Sequence, residues 1–130
     1  MDQRERHPAP NDGAATILVC DDDPSLRELV RAVLGSRYRF VEAADGTEAL
    51  TLARDDRPDL IVLDVMLPGL SGIEVLEELR STDSLKEIPV VVITAWSHAE
   101  IEVQVAGADR FVSKPFDPDE LSTAVEELLT

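Results

Sequence analysis

Three unbroken apolar runs, Ile17-Leu18-Val19-Cys20, Leu60-Ile61-Val62-Leu63 and Val90-Val91-Val92-Ile93, stand out in a chain whose other apolar residues recur at helical spacing. Short runs rich in β-branched residues and without polar alternation are the pattern of strands buried on both faces of a parallel sheet. Leu26, Leu29, Val30, Val33 and Leu34 follow the first run at helical intervals, and Leu121, Val125, Leu128 and Leu129 repeat the pattern near the end. Each set forms one apolar stripe of a helix. Runs and stripes alternate, which predicts five βα units and an α/β domain with a parallel sheet.

Local signals place the element ends. Asp23 before Pro24 reads as a helix cap followed by a first-position proline. Asp117-Pro118-Asp119-Glu120 repeats this, with a carboxylate at the third position to complement the free amides of a last helix. Ser71 with Glu74, and Ser97 with Glu100, have capping-box spacing and predict the starts of the third and fourth helices. Gly107 is the expected left-handed residue closing the fourth. The other strands follow by subtraction: Arg39 to Ala43, Leu60 to Leu63, Val90 to Thr94 and Arg110 to Val112.

With 130 residues the chain has room for a single core. The polar start, residues 1–14, lacks the apolar core of a secretory signal and is expected to be a flexible tail, the alternative being a docking segment that orders on a partner. A formal net charge of −15 argues against direct nucleic-acid binding and against anionic membranes, because the summed field repels polyanions. No apolar stretch reaches the length needed for membrane insertion. Cys20 is the one cysteine, so an internal disulfide is impossible, and its place in an apolar run predicts a buried, inert thiol in a reducing, cytoplasmic setting.

The candidate chemistry sits at the ends of the runs: Asp21-Asp22 after the first, Asp64 after the second, Thr94 after the third. In a parallel sheet these ends share one edge, where open α/β sheets place their sites. Two like charges about 4 Å apart cost on the order of 4 kcal/mol at an effective dielectric of about 20, so such a carboxylate cluster calls for a cation. Simpler readings stand beside this one. Asp21, Asp22 and Asp23 offer three carboxylates where a helix cap needs one; Asp64 is also a residue type that turns favour; and Lys114 before Pro115 is also a solvent-facing loop lysine.

Asp21-Asp22, then Leu63-Asp64-Val65-Met66-Leu67-Pro68-Gly69, Thr94-Ala95 and Lys114-Pro115-Phe116, in that order after successive strands, resemble the receiver domain of bacterial two-component response regulators, in particular single-domain, chemotaxis-regulator-like ones. The resemblance covers residues 15–130. It implies a doubly wound, flavodoxin-like fold with strand order 2-1-3-4-5 and five helices. It implies Asp64 as phosphoacceptor from a histidine kinase or histidine phosphotransfer protein. Mg²⁺ would be held by Asp22, Asp64 and the Met66 carbonyl, and by Asp21 largely through water, as suits a hard cation that retains waters. Lys114 would supply a second positive charge, its bond to Pro115 being cis in the family, and Thr94 a hydroxyl to the phosphoryl group. One of two lysines in the chain, Lys114 is not one of a crowd.

Phe111 occupies the place of the family's switch aromatic, as Phe rather than Tyr; it reads equally as a core residue of the last strand. Trp96 and Met66 border the expected site and would screen it from water, or, for Trp96, pack on a neighbouring loop. Thr94 and Lys114 are 20 positions apart, a shorter interval than the family's, so a shortened fourth helix or flanking loop is expected on the face where receivers meet targets. His98 and His7 carry no signal for phosphotransfer. The implied protein is a switch, not an enzyme, assisting only its own phosphorylation and dephosphorylation. It is a monomer or a weak phosphorylation-dependent dimer, and it signals to a separate protein target or through a phosphorelay. Three rivals are weaker. A haloacid-dehalogenase-type phosphohydrolase needs a second Asp where Met66 stands, and a flavin carrier needs an aromatic-rich phosphate loop that is missing. A phosphorylation-independent interaction module would leave the full set of acceptor, metal and lysine residues unexplained.

Overall fold

The computed structural model describes residues 13–95 and 107–130. The expected helix start at Ser97 and Glu100, with Trp96 and His98, lies outside the described residues, as does His7. Five strands, β1 (Thr16–Cys20), β2 (Arg39–Ala43), β3 (Leu60–Asp64), β4 (Val90–Thr94) and β5 (Arg110–Ser113), form one sheet in the order β2-β1-β3-β4-β5. All four pairings are parallel. The described residues contain four helices, α1 (Pro24–Leu34), α2 (Gly46–Asp56), α3 (Gly72–Ser81) and α4 (Pro118–Leu129). The fold is therefore the α/β architecture with a parallel sheet expected from the alternation of runs and stripes, in the doubly wound order that the resemblance implies, with four of the five implied helices among the described residues.

β3 and β4 are buried along their whole length because both sheet faces are covered. Leu18, Cys20, Ile61, Leu63, Val90 and Val92 point to the face lined by α2 and α3. Their alternates Ile17, Val19, Leu60, Val62, Val91 and Ile93 point to the face that also holds Val30 of α1 and Leu121 and Val125 of α4. Period-2 alternation thus distributes apolar side chains between two cores, which is why the strands show no polar positions.

Three of the expected caps are present, whereas Gly107, expected in the left-handed region, does not have a positive φ. Asp23 accepts from the Ser25 amide with Pro24 opening α1, Asp117 accepts from the Asp119 amide ahead of Pro118, and Ser71 and Glu74 complete a reciprocal capping box. Three strands run one residue beyond their expected limits. β1 starts at Thr16, whose amide donates to Asp59 Oδ2 at 2.7 Å. β3 continues through Asp64 because it pairs with Ile93, and β5 through Ser113 because it pairs with Thr94. α2 carries the cap that the sequence pattern did not single out, Asp45 accepting from the Glu48 amide at 2.8 Å.

Candidate functional site

Parallel register assembles the site. Cys20 lies beside Leu63, so Asp21 and Asp64, the next residue of each chain segment, come together at the carboxyl edge. Thr94 ends β4 beside Ser113, which brings Lys114 to the same edge. Asp21, Asp22 and Asp64 each offer a carboxylate oxygen within 4.8 Å of the others. Asp21 and Asp64 are each 3 % exposed and Thr94 is fully buried, while Asp22 faces solvent.

The Lys114 ammonium bridges the buried pair, donating to Asp64 Oδ2 at 2.9 Å and to Asp21 Oδ2 at 3.2 Å. The opposite oxygens are held by backbone: Asp64 Oδ1 accepts from the Met66 amide at 2.9 Å and Asp21 Oδ1 from the Asp23 amide at 2.9 Å. Burial raises the Asp21 carboxyl to about 6, with the Asp23 amide and Lys114 opposing and neighbouring Asp64 adding to the rise. Burial pulls the Lys114 ammonium down, but its bond to Asp64 and the charges of Asp64 and Asp21 outweigh this and leave it above its ordinary value. The Lys114–Pro115 peptide bond is cis. Burial pushes the Cys20 thiol far up, with the charges of Asp21 and Glu48 adding to it, which leaves no thiolate to react.

The remaining expected residues divide. Met66 is 58 % exposed on the loop after Asp64, at the rim of the cluster. Phe111 is half-buried on β5 and packs against the core of the α2 and α3 face. The Lys114 amide donates to the Thr94 carbonyl at 2.8 Å, tying the two sheet-edge residues through backbone. Trp96 lies outside the described residues.

Two kinds of contact escape the sequence pattern. Gly72 opens α3 flush against the end of β3, where a Cβ would stand 2.3 Å from the Asp64 carbonyl oxygen and 2.6 Å from Val65 Cα. Arg27 of α1 reaches back to donate to the Asp21 carbonyl at 2.6 Å. The sequence signal for it is faint: Arg27 and Arg31, four apart on α1.

Hard carboxylate oxygens, one cluster member open to solvent, and a buried pair in which burial, with Asp64 adding to it, raises the Asp21 pKa fit a small divalent cation with retained waters. The arrangement can hold such a cation beside a carboxylate nucleophile, with a lysine as the second positive group.

A family model, the response regulator receiver domain, matches residues 17–126. The DNA-binding response regulator MtrA of Mycolicibacterium smegmatis is 44% identical over 117 residues, covering 87% of this chain and 50% of that protein. The response regulator MprA of Mycolicibacterium vanbaalenii is 46% identical over 116 residues, covering 87% of this chain and 49% of that protein. The chain thus spans about half the length of the curated relatives it matches. Among solved structures, the chemotaxis response regulator CheY4 of Vibrio cholerae superposes with a TM-score of 0.82 at 32% identity, over 89% of this chain and 99% of that one. The receiver domain of the Francisella response regulator 1452 gives 0.81 at 32%, over 88% and 96%.

Proposed function

The chain belongs to the family of response regulator receiver domains, and from that premise we propose that it is a phosphorylation-controlled switch whose acceptor is Asp64, charged by a histidine kinase or histidine phosphotransfer protein. The observation that carries the assignment is the Lys114 ammonium bridging Asp64 and Asp21 inside a three-carboxylate cluster. A carboxylate oxygen of Asp64 attacks phosphorus, an O–P bond forms as the N–P bond of the phosphohistidine breaks, and the imidazole leaves. The Met66 amide on Oδ1 and Lys114 on Oδ2 fix the carboxylate plane, so the attacking group is oriented beforehand.

Asp22, Asp64 and the Met66 carbonyl would hold Mg²⁺, with Asp21 largely through water, and the ion would neutralise the carboxylates and the incoming phosphoryl group. Lys114 exchanges part of its carboxylate contact for phosphoryl oxygens. Thr94, buried at the end of β4, donates its hydroxyl to the modified side chain and draws the following segment inward. That contact exists only in the modified state, and such a difference is what shifts a two-state population. Phe111 on β5 follows Thr94 in this reading, and the changed surface is read by a protein target. Met66, exposed at the rim of the cluster, screens the phosphoryl group from water. The reading carries with it a cytoplasmic location and a monomer or weak dimer formed on phosphorylation.

The test is intact mass after incubation with acetyl phosphate, with and without Mg²⁺. One Mg²⁺-dependent phosphoryl adduct on the wild type, absent from Asp64→Asn, is the expected result. A wild type that binds Mg²⁺ yet takes no adduct would favour a phosphorylation-independent interaction module.

A further inference from the structure

The acidic turn between β1 and α1 is held by a residue that takes no part in the cluster itself. Arg27 Nη1 donates to the Asp21 carbonyl at 2.6 Å, and its Nε donates to Glu42 Oε1 on β2 at 2.8 Å. The other Glu42 oxygen accepts from Arg31 one turn further along α1, at 2.5 Å. The Arg27 side chain is 16% exposed. The guanidinium is thus fixed from the strand side while its fork points at one peptide oxygen.

That oxygen belongs to the planar unit joining Asp21 to Asp22, so its orientation sets where both side chains leave the backbone. Asp21 is pinned independently, through its amide to the Ala43 carbonyl at 3.1 Å and through both carboxylate oxygens. Among the described residues, no hydrogen bond or ion pair engages the Asp22 side chain. The direction of Asp22 therefore depends on the peptide plane before it, and Arg27 is the side chain bonded to that plane. Glu42, shared with Arg31, offsets part of the positive charge that Arg27 brings toward a cation site.

We propose that Arg27, held by Glu42, is a positioning residue that aims the Asp22 carboxylate into the cation site. This rests on reading Asp21, Asp22 and Asp64 as that site. The group that acts is the Arg27 N–H on the Asp21 carbonyl, and Glu42 contributes by fixing the guanidinium and offsetting part of its charge.

The test is calorimetric titration of the full chain with MgCl₂ for the wild type, Arg27→Ala, Arg27→Lys and Glu42→Gln, at a temperature where circular dichroism shows each folded. Outer partners of metal ligands typically set affinity by about tenfold or more, so Arg27→Ala should raise the Kd for Mg²⁺ about tenfold. Arg27→Lys should recover part of the loss, since one ammonium reaches the carbonyl without also holding Glu42 through a planar fork. Glu42→Gln should weaken binding by leaving Arg27 uncompensated. A merely structural role would lower the melting temperature and leave the Kd alone, so an Arg27→Ala Kd within twofold of wild type overturns the proposal. If Arg27→Ala does not fold, unchanged affinity in both other variants overturns it. A wild type that takes up no Mg²⁺ overturns the site reading and this proposal with it, whereas wild-type binding beside an unaffected Arg27→Ala overturns this proposal alone.

Discussion

At the scale of single residues, the cluster keeps a charge where burial opposes it, and the cost has a sign that can be measured. Asp21 titrates near 6 in the fold, raised first by burial and further by Asp64, against an ordinary value of 3.8. A group whose folded pKa is raised contributes its stability fully below the unfolded value and loses it as pH climbs through the folded one. Asp21 therefore subtracts stability from the metal-free protein above pH 6 and nothing below pH 3.8. Asp21→Asn removes the titration. In EDTA the variant should be more stable than wild type by about 2 kcal/mol at pH 8, a value set below the full linkage figure because Lys114 and water relax the charge. The gain should shrink toward zero near pH 4, as urea unfolding at both pH values will read. A variant destabilised equally at both would show that Asp21 is kept for its bond to Lys114, whatever its charge.

Elements fix how closely the site's backbone segments approach, and here the α3 start matters most. A Cβ on Gly72 would meet the Asp64 carbonyl oxygen at 2.3 Å, backbone against backbone, with no flexible side chain to yield. Gly72→Ala should cost about 3 kcal/mol in urea unfolding, the upper range for overpacking, and should slow adduct formation from acetyl phosphate because the displaced residue is the proposed acceptor. Retained stability with a normal phosphorylation rate would show that α3 can slide away from β3. The strands and most caps were readable beforehand, since buried parallel strands are apolar runs and a Ser71–Glu74 box is a local spacing. Asp21, Asp64 and Thr94 were readable as a group for the same reason, since each closes or follows an apolar run and parallel register aligns the ends, whereas Lys114 joined them only through the resemblance. Arg27 on the Asp21 carbonyl was not readable, because a guanidinium meeting a backbone oxygen depends on where a helix packs and leaves no spacing rule. The same holds for Arg80, whose guanidinium donates to the Gly107, Lys86 and Ile88 carbonyls and pairs with Asp109, stitching the end of α3 to β4 and β5.

For the molecule as a whole, the dominant quantity is a net charge of −15 on a chain whose sheet edge collects three carboxylates. Self-repulsion of that size lowers stability at low ionic strength, so any salt should raise the melting temperature by screening. Mg²⁺ held at the cluster acts differently, because binding to the folded state alone adds RT ln(1 + [Mg²⁺]/Kd), about 2.7 kcal/mol at a hundredfold excess over Kd. In a domain of this size that is a rise in Tm on the order of 10 °C. The two effects separate when MgCl₂ is compared with NaCl at matched ionic strength, on wild type and on Asp22→Asn. Asp22 is exposed and no ion pair among the described residues engages it, so its loss should leave the fold intact while removing one of the carboxylates proposed to hold the ion. NaCl should raise Tm by a similar few degrees in both proteins, and the extra rise with MgCl₂ should be confined to wild type. Equal MgCl₂ effects in the two proteins would mean that the carboxylates act as one diffuse field, with no site assembled at the sheet edge.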